Sequence, residues 1–371
     1  MIPVNTPLLD GNERRYLNQC LDDGWVSSEG PFVKQFEQNM ASACNRRYGI
    51  AVTNGTSALE IAVAALQFEP GSEIIMPAFT IISCAAAIVK SGCVPVLVDA
   101  DRFTWNMQVE QIESKITART CAIMVVHIYG LPVDMDPVLK IAKKYKLKVI
   151  EDAAEMHGQT YKGRPCGSFG DISTFSFYAN KLITTGEGGM IVTNDNELAE
   201  LCRSYRNLFF PVKERRYVHE ELGWNCRMSN IQAALGVAQL ESLEKHIQKK
   251  RRIGALYTEL LKEVDCIQLP VAGTEYAQNI YWAYGIVLKD TLEFDNISMI
   301  RKLAEYKIGG RLFFSPMNVQ PALLKRGFFK DEHFPIAEWL SKRGLYIPCG
   351  LGISEDEIKT VADIIKKILK K

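Results

Sequence analysis

The sequence predicts an α/β protein: a mixed, mostly parallel sheet flanked by helices, followed by a smaller α+β unit. Three observations carry this. Residues 48–195 alternate short β-branched runs with amphipathic helical stretches, the pattern of a parallel sheet covered by helices. Several of those runs are apolar on both faces, as strands buried under two helical layers are. With 371 residues the chain exceeds the roughly 250–300 at which a single core stops growing, so a second unit is expected.

Taken in order, strands are expected at 49–52, 73–76, 94–99, 121–127, 148–151, 174–177 and 190–193. The helices between them carry recognisable starts. Asn54-Gly55-Thr56-Ser57 precedes Leu59, Ala62, Val63 and Leu66, and Asp136-Pro137 precedes Leu139, Ile141 and Ala142. Each start lies just beyond a strand end, where open α/β sheets bind ligands and helix N-termini receive anions. From 228 to about 253 a helical stretch (Ile231, Ala234, Leu235, Ala238, Leu240, Leu243) ends in the basic cluster Lys249-Lys250-Arg251-Arg252 and reads as the passage to the second unit. Strand-like runs at 282–288 and 310–314 then mix with helical ones, the last at 355–369. The units that follow are 1–245, large and carrying an N-terminal arm, and 246–371, small. The closing Lys366-Lys367 and Lys370-Lys371 pairs read as a solvated face favoured by the helix dipole.

Composition narrows the function. Lys plus Arg (44) and Asp plus Glu (43) nearly cancel, so no global field draws the chain to nucleic acid or acidic membranes, and any anion must meet a local site. No apolar run approaches the ~18 residues of a membrane span, and residues 1–6 contain no basic stretch leading into an apolar one. The expectation is a cytoplasmic protein with no membrane partner. The ten cysteines never form a Cys-x-x-Cys pair and histidines number five, so neither a metal site nor a disulfide framework has its spacing, and the cysteines read as reduced core residues. The sequons at Asn54 and Asn296 carry no weight without a secretory route.

Three segments can carry chemistry. Lys181 stands between the strand-like Ser173-Thr174-Phe175-Ser176-Phe177 and the turn Thr185-Gly186-Glu187-Gly188-Gly189, on no amphipathic helix face. A lysine beside an apolar strand loses its proton more easily, as imine formation requires, although a snorkelling surface lysine fits the same pattern. Asp152, in Val149-Ile150-Glu151-Asp152-Ala153-Ala154-Glu155, closes an apolar strand; there it suits a protonated pyridine nitrogen or, equally, a helix cap. The amides and hydroxyls of Asn54-Gly55-Thr56-Ser57 suit a phosphate. No Gly-x-Gly-x-x-Gly follows the first strand and no Gly-Lys-Ser/Thr occurs, which argues against dinucleotide and triphosphate binding by those routes.

In this order, these segments resemble the sugar aminotransferases of the DegT/DnrJ/EryC1/StrS family, which have the aspartate aminotransferase (type I) fold. The similarity runs nearly end to end. It takes in Leu9-Asp10-Gly11-Asn12-Glu13, Gly24-Trp25-Val26-Ser27-Ser28-Glu29-Gly30, Thr53 to Leu59, His127-Ile128-Tyr129-Gly130, the Asp152, Lys181 and glycine-rich segments, and Asn225-Cys226-Arg227-Met228-Ser229-Asn230. The resemblance implies pyridoxal 5'-phosphate as cofactor, bonded to Lys181, which also shuttles protons. It implies Asp152 at the pyridine nitrogen, Thr56, Ser57 and Ser176 with Gly55 at the phosphate, and Glu155 at the cofactor. It implies a homodimer with shared active sites, Asn225 reaching the phosphate of the neighbouring subunit. The mechanism implied is ping-pong, with glutamate leaving its nitrogen on the cofactor and a nucleotide-linked 4-keto sugar taking it up.

Leu9-Asp10-Gly11-Asn12-Glu13, Glu155 where many relatives carry Gln, and Asn225-Cys226-Arg227-Met228 are similar to members acting on GDP-4-keto-6-deoxymannose. A UDP- or dTDP-linked 4-keto sugar is the alternative. Ile81 stands where the family usually has an aromatic that stacks on the cofactor, leaving Phe79 or an aliphatic face for that task. Asn318 stands where those members tend to have His, and Arg216-Tyr217-Val218-His219 also departs. His127, Tyr129, Glu187, Arg227, Arg311 and Asn318 are the candidate substrate contacts, the arginines because guanidinium matches phosphate oxygens. A sugar dehydratase would have His in place of Lys181. A non-catalytic cofactor-binding regulator is disfavoured by the intact Lys181, Asp152 and glycine-rich turn, and a nicotinamide dehydrogenase by the missing fingerprint.

Overall fold

A computed structural model describes residues 1–210 and 217–370; Arg216 and Lys371 lie outside them. The central sheet is built from β1 (Tyr48–Val52), β2 (Glu73–Pro77), β3 (Val94–Val98), β4 (Thr120–Val126) and β5 (Lys148–Asp152). After a hairpin of β6 (Thr160–Tyr161) and β7 (Arg164–Pro165) it gains β8 (Ile172–Ser176) and β9 (Gly189–Thr193). Strand order is β1-β9-β8-β5-β4-β2-β3. Only β9 runs against the rest, pairing antiparallel with both β1 and β8. These are the seven strands expected from the sequence, to within a few residues at each end. Strands β2 and β4 pack on both faces, which is why they read as unbroken apolar runs.

Helix α2 (Pro31–Ala43) covers one face of β1 and β9, with α1 (Glu13–Asp22) joining the same cluster through Cys20; α3 (Gly55–Ala65) and α6 (Asn196–Arg206) pack on the same two strands, α3 reaching β8 as well, α4 (Ile82–Lys90) packs on β2 and β3, and α5 (Met135–Tyr145) on β4 and β5. The alternation of side chains along β1 decides who meets whom: Ile50 and Val52 enter the cluster with α3 and α4, and Ala51 the cluster with Phe36 and Met40 of α2.

The helical stretch read as continuous over 228–253 is two helices, α7 (Asn230–Glu241) and α8 (Leu243–Leu261), which meet at Ser242. Nor is the basic cluster a helix end. Apolar periodicity continues through Ile253, Tyr257 and Leu261, all buried, so α8 runs on past it, and Lys250 is itself buried.

The second sheet has the order β10-β11-β13-β12, all antiparallel, from β10 (Ile267–Gln268), β11 (Tyr284–Leu288), β12 (Arg311–Leu312) and β13 (Gly344–Ile347). Between β11 and β13 come α9 (Asn296–Glu305), α10 (Pro321–Leu324) and α11 (Pro335–Arg343), and α12 (Glu355–Leu369) closes the described chain. A capping box of Ser354 and Glu357 starts α12, whose Ile358, Val361 and Ile365 pack with α8 and β11. Trp282, Phe313 and Tyr346 instead join the large core beside Phe79 and Tyr129. That contact brings the second sheet to the carboxyl ends of the first.

Candidate active site

The carboxyl ends of β1, β2, β4, β5 and β8 open on one cavity of about 690 Å³, which Trp282, Arg311, Phe314 and Tyr346 close from the second sheet. Gly55, Thr56, Ser57, Asp152, Glu155, Ser176 and Lys181 all line it. A hollow of about 720 Å³ elsewhere holds Arg203, Arg206 and Arg227. Among the described residues no lysine or buried carboxylate lines that hollow, and the chemistry is placed in the first.

Lys181 follows β8 in a turn where its N–H donates to the Tyr178 carbonyl at 2.8 Å. Its side chain is 11% exposed, with Nζ 3.6 Å from Glu155 Oε1 and 4.1 Å from the centre of the Trp282 ring. Oε2 of Glu155 accepts the Tyr129 N–H at 2.7 Å. Burial pushes Glu155 up to about 7, against the lowering pull of the Lys181 charge and the Tyr129 N–H. The gap to Nζ exceeds a good hydrogen bond, which is why the pair does not overcome desolvation.

Glu151 and Asp152 are neighbours on β5 and so face opposite ways. Asp152 lines the cavity: Oδ1 accepts the Ala154 N–H at 3.0 Å, and Oδ2 accepts the Cys84 thiol at 3.3 Å. Burial raises its pKa, partly countered by Ala154 and the Lys181 charge; such a group gains from a cationic partner. Glu151 is already saturated. It accepts the N–H groups of Gly167, Phe169 and Gly170 at 2.6, 2.9 and 3.1 Å and the Ser173 hydroxyl at 2.9 Å. Burial pushes Glu151 up, but His127 and these donors outweigh it and hold the carboxylate at about 2.

At the other end of the cavity α3 begins. Asn54 Oδ1 accepts the Ser57 N–H at 2.8 Å, fixing a first turn whose Gly55 and Thr56 amides join the hydroxyls of Thr56 and Ser57. Ser83 braces Thr56 at 2.8 Å. A Cβ on Gly55 would come within 2.7 Å of Ser176 Cβ, so glycine is what lets β8 reach this helix end. The cavity thus offers an anion seat at a helix N-terminus, a buried carboxylate and an amine. These fit the phosphate, ring nitrogen and aldehyde of pyridoxal 5'-phosphate.

Several expected contacts lie elsewhere. Phe79 is buried against Tyr129, Phe313 and Phe314 and does not line the cavity; Ile81, 42% exposed, does. Of those two residues, Ile81 is the one that reaches the cavity. His127 borders the cavity, but its Nδ1 accepts the Val133 N–H at 3.0 Å, leaving the hydrogen on Nε2 to face Glu151 at 3.2 Å. His127, Glu151 and Cys166 have ligand atoms within 4.8 Å of one another, but the first two are already engaged by the hydrogen bonds given above. Tyr129 is buried, its ring stacked with Trp282 and Phe314 and its hydroxyl accepting the Phe314 N–H at 3.3 Å; it serves through the N–H it gives Glu155. Asn318 is buried, donating to the Glu332 carbonyl at 3.0 Å and to Glu338 at 2.8 Å. Arg227 bonds Asn207 and lines the other hollow. Asn225, exposed, bridges to Asn207 outside the cavity of its own chain.

Arg311 and Glu187 do line the cavity, both exposed. The sequence reading missed Thr80, Ser83, Cys84, Trp282 and Tyr346. The first three lie beside Phe79 and Ile81, the pair already weighed for covering the cofactor, where α4 begins; nothing local marks the last two.

Comparisons with known proteins agree with this geometry. The profile of the DegT/DnrJ/EryC1/StrS aminotransferase family matches residues 7–366. The GDP-perosamine synthase of Caulobacter vibrioides is 41% identical over 370 residues, covering 99% of this chain and 98% of that one. The GDP-perosamine synthase of Escherichia coli O157:H7 is 40% identical over 366 residues, with 99% and 98% covered. Among solved structures, an aminotransferase from Psychrobacter cryohalolentis superposes with a TM-score of 0.91 at 29% identity, covering 99% of each chain.

Proposed function

The chain belongs to the DegT/DnrJ/EryC1/StrS aminotransferase family, and from that premise we propose that it converts GDP-4-keto-6-deoxymannose to GDP-perosamine with glutamate as amino donor. It is a pyridoxal-phosphate-dependent nucleotide-sugar aminotransferase. The observation that carries the residue assignment is the meeting of Lys181, Asp152 and the α3 N-terminus in one cavity. The GDP-linked sugar rests on the two relatives, each matched over nearly its whole length.

In this reading the Gly55 amide and the hydroxyls of Thr56, Ser57 and Ser176 hold the phosphate. Asp152, positioned by Cys84 and Ala154, pairs with the ring nitrogen and keeps it protonated. Ile81 covers one face of the ring. The bound cofactor supplies an electron sink for the carbon that loses or gains nitrogen. Lys181 bonds the cofactor at rest; once freed, its Nζ takes a proton from one carbon and returns it to another. Glu155 stands beside that nitrogen with a proton it can hold near neutral pH. Arg311, exposed at the cavity, receives the substrate pyrophosphate.

A homodimer belongs to the same reading. Asn225 is not among the residues lining its own cavity, and exposed Trp25, Val26, Val218 and Leu222 are apolar surface that a second copy would cover. Asn225 of each subunit then reaches the partner's phosphate seat. The division into 1–245 and 246–371 is also part of it, supported by the two separate sheets. Among the described residues no helix is long and apolar enough to cross a membrane.

The test supplies the purified enzyme with glutamate and, in separate reactions, the GDP-, UDP- and dTDP-linked 4-keto-6-deoxy sugars, reading the amino sugar by mass spectrometry. Product from the GDP sugar alone supports the substrate; product only from another nucleotide replaces it.

A further inference from the structure

We propose that Trp282 holds the Lys181 amino group while that nitrogen carries the transferred proton, and that buried Lys250 fixes Trp282 for the task. This rests on reading Lys181 as the cofactor-bearing lysine. Trp282 precedes β11, is 6% exposed, and turns its ring face to Lys181 Nζ at 4.1 Å from the ring centre. Two clamps hold it there. Its indole N–H donates to the carbonyl of Asn180, the residue next to Lys181, at 3.0 Å. Its own carbonyl accepts Lys250 Nζ at 2.9 Å, and the same ammonium donates to the Cys349 carbonyl at 2.6 Å.

Lys250 is an unusual group to find inside. Burial lowers its pKa, and a long apolar side chain would fill the same space without that penalty. What it does with its donors is tie α8, the start of β11 and the end of β13 together at Trp282. The gap bounded by Asn180, Lys181, Lys250 and Trp282 is only about 10 Å³, room for no more than about one water, so the indole cannot shift to that side.

The chemistry gives this arrangement a use. In the first transfer a C–H bond of the substrate breaks, its electron pair stays on the carbon framework and an N–H bond forms at Nζ. In the second that N–H breaks and a C–H bond forms at the other carbon. Between the two Nζ is an ammonium, with the indole face on one side and Glu155 Oε1 at 3.6 Å on another. A ring face attracts a desolvated cation and not a neutral amine, so it favours the state between the transfers.

The test combines Trp282→Leu, Trp282→Phe and Lys250→Met with a Lys181→Ala protein whose turnover is restored by added ethylamine. Trp282→Leu should lower kcat roughly tenfold, the scale of a desolvated cation–π contact, with the KM for glutamate little changed, and Trp282→Phe should recover most of the loss. Without ethylamine, the residual turnover of Lys181→Ala should be unaffected by Trp282→Leu, because the amine the ring serves is gone, whereas ethylamine seated in its place should bring the dependence on the ring back. In cofactor-free protein, acylation of Lys181 followed by peptide mass spectrometry should speed up severalfold in Trp282→Leu and in Lys250→Met. If Trp282→Leu does not fold, Lys250→Met carries the same comparison with the ring present but unanchored. The proposal is overturned if Trp282→Leu slows the unrescued Lys181→Ala protein as much as the native one, or if Lys181 acylation is unchanged. Full turnover by Lys181→Ala without ethylamine would overturn the assignment of Lys181 itself.

Discussion

Glu155→Gln keeps the size and bonding shape of the side chain and removes its titration. In the folded protein burial lifts this carboxyl from the ordinary 4.5 to about 7; at about 1.4 kcal/mol per pH unit, that is on the order of 3 kcal/mol. The sign follows from where the proton sits. Below about pH 4.5 both folded and unfolded chains are protonated here, and the group costs nothing. Between 4.5 and 7 the unfolded chain gives up the proton while the folded one keeps it, so stability falls as pH rises. Above 7 the loss is complete. The assay is urea unfolding of cofactor-free wild type and Glu155→Gln at intervals from pH 4 to pH 8. The stability of wild type relative to the variant should drop by on the order of 3 kcal/mol across that window. A difference that stays flat, or that grows in favour of wild type as pH rises, would refute the reasoning and mean that the Lys181 charge dominates burial.

Asp152→Asn removes the negative charge facing the ring nitrogen and should slow amino transfer on the order of 100-fold or more while the protein still folds, measured by steady-state kinetics with glutamate. Phe79→Ala should cost about 3–5 kcal/mol of stability, because the ring is core, whereas Ile81→Ala should leave the melting temperature nearly unchanged and weaken cofactor retention on dialysis. Thr56→Val combined with Ser176→Ala should raise the dissociation constant for pyridoxal phosphate more than that for pyridoxal, since only the former has a phosphate to lose contact with.

The seven strands of the large sheet were legible because each is a β-branched run bounded by turn residues, and a strand buried on both faces leaves no other reading. Their order was not, since the pairing of β1 with β9 joins residues far apart in the chain. β13 follows α11 with no turn residue between Arg343 and Gly344, so its four residues gave no signal of their own. At the site, the residues that start helices or end strands were legible: Thr56, Ser57, Asp152 and Ser176 occupy positions defined by backbone geometry. Phe79 and Tyr129 were misplaced because strand ends name a neighbourhood and not a direction. One residue further along the chain, a side chain turns from the cavity into the core, as Glu151 does beside Asp152. Trp282 was invisible for a different reason: it reaches Lys181 from the second sheet, and only tertiary packing brings them together.

The central claim is that Lys181 carries the cofactor of a sugar aminotransferase, and the visible absorption of the reconstituted protein tests it most directly. Glutamate should bleach the band of the lysine-bound cofactor, GDP-4-keto-6-deoxymannose should then restore it, and a Lys181→Ala variant should complete neither change. A band that resists every amino donor in the native protein would contradict the account.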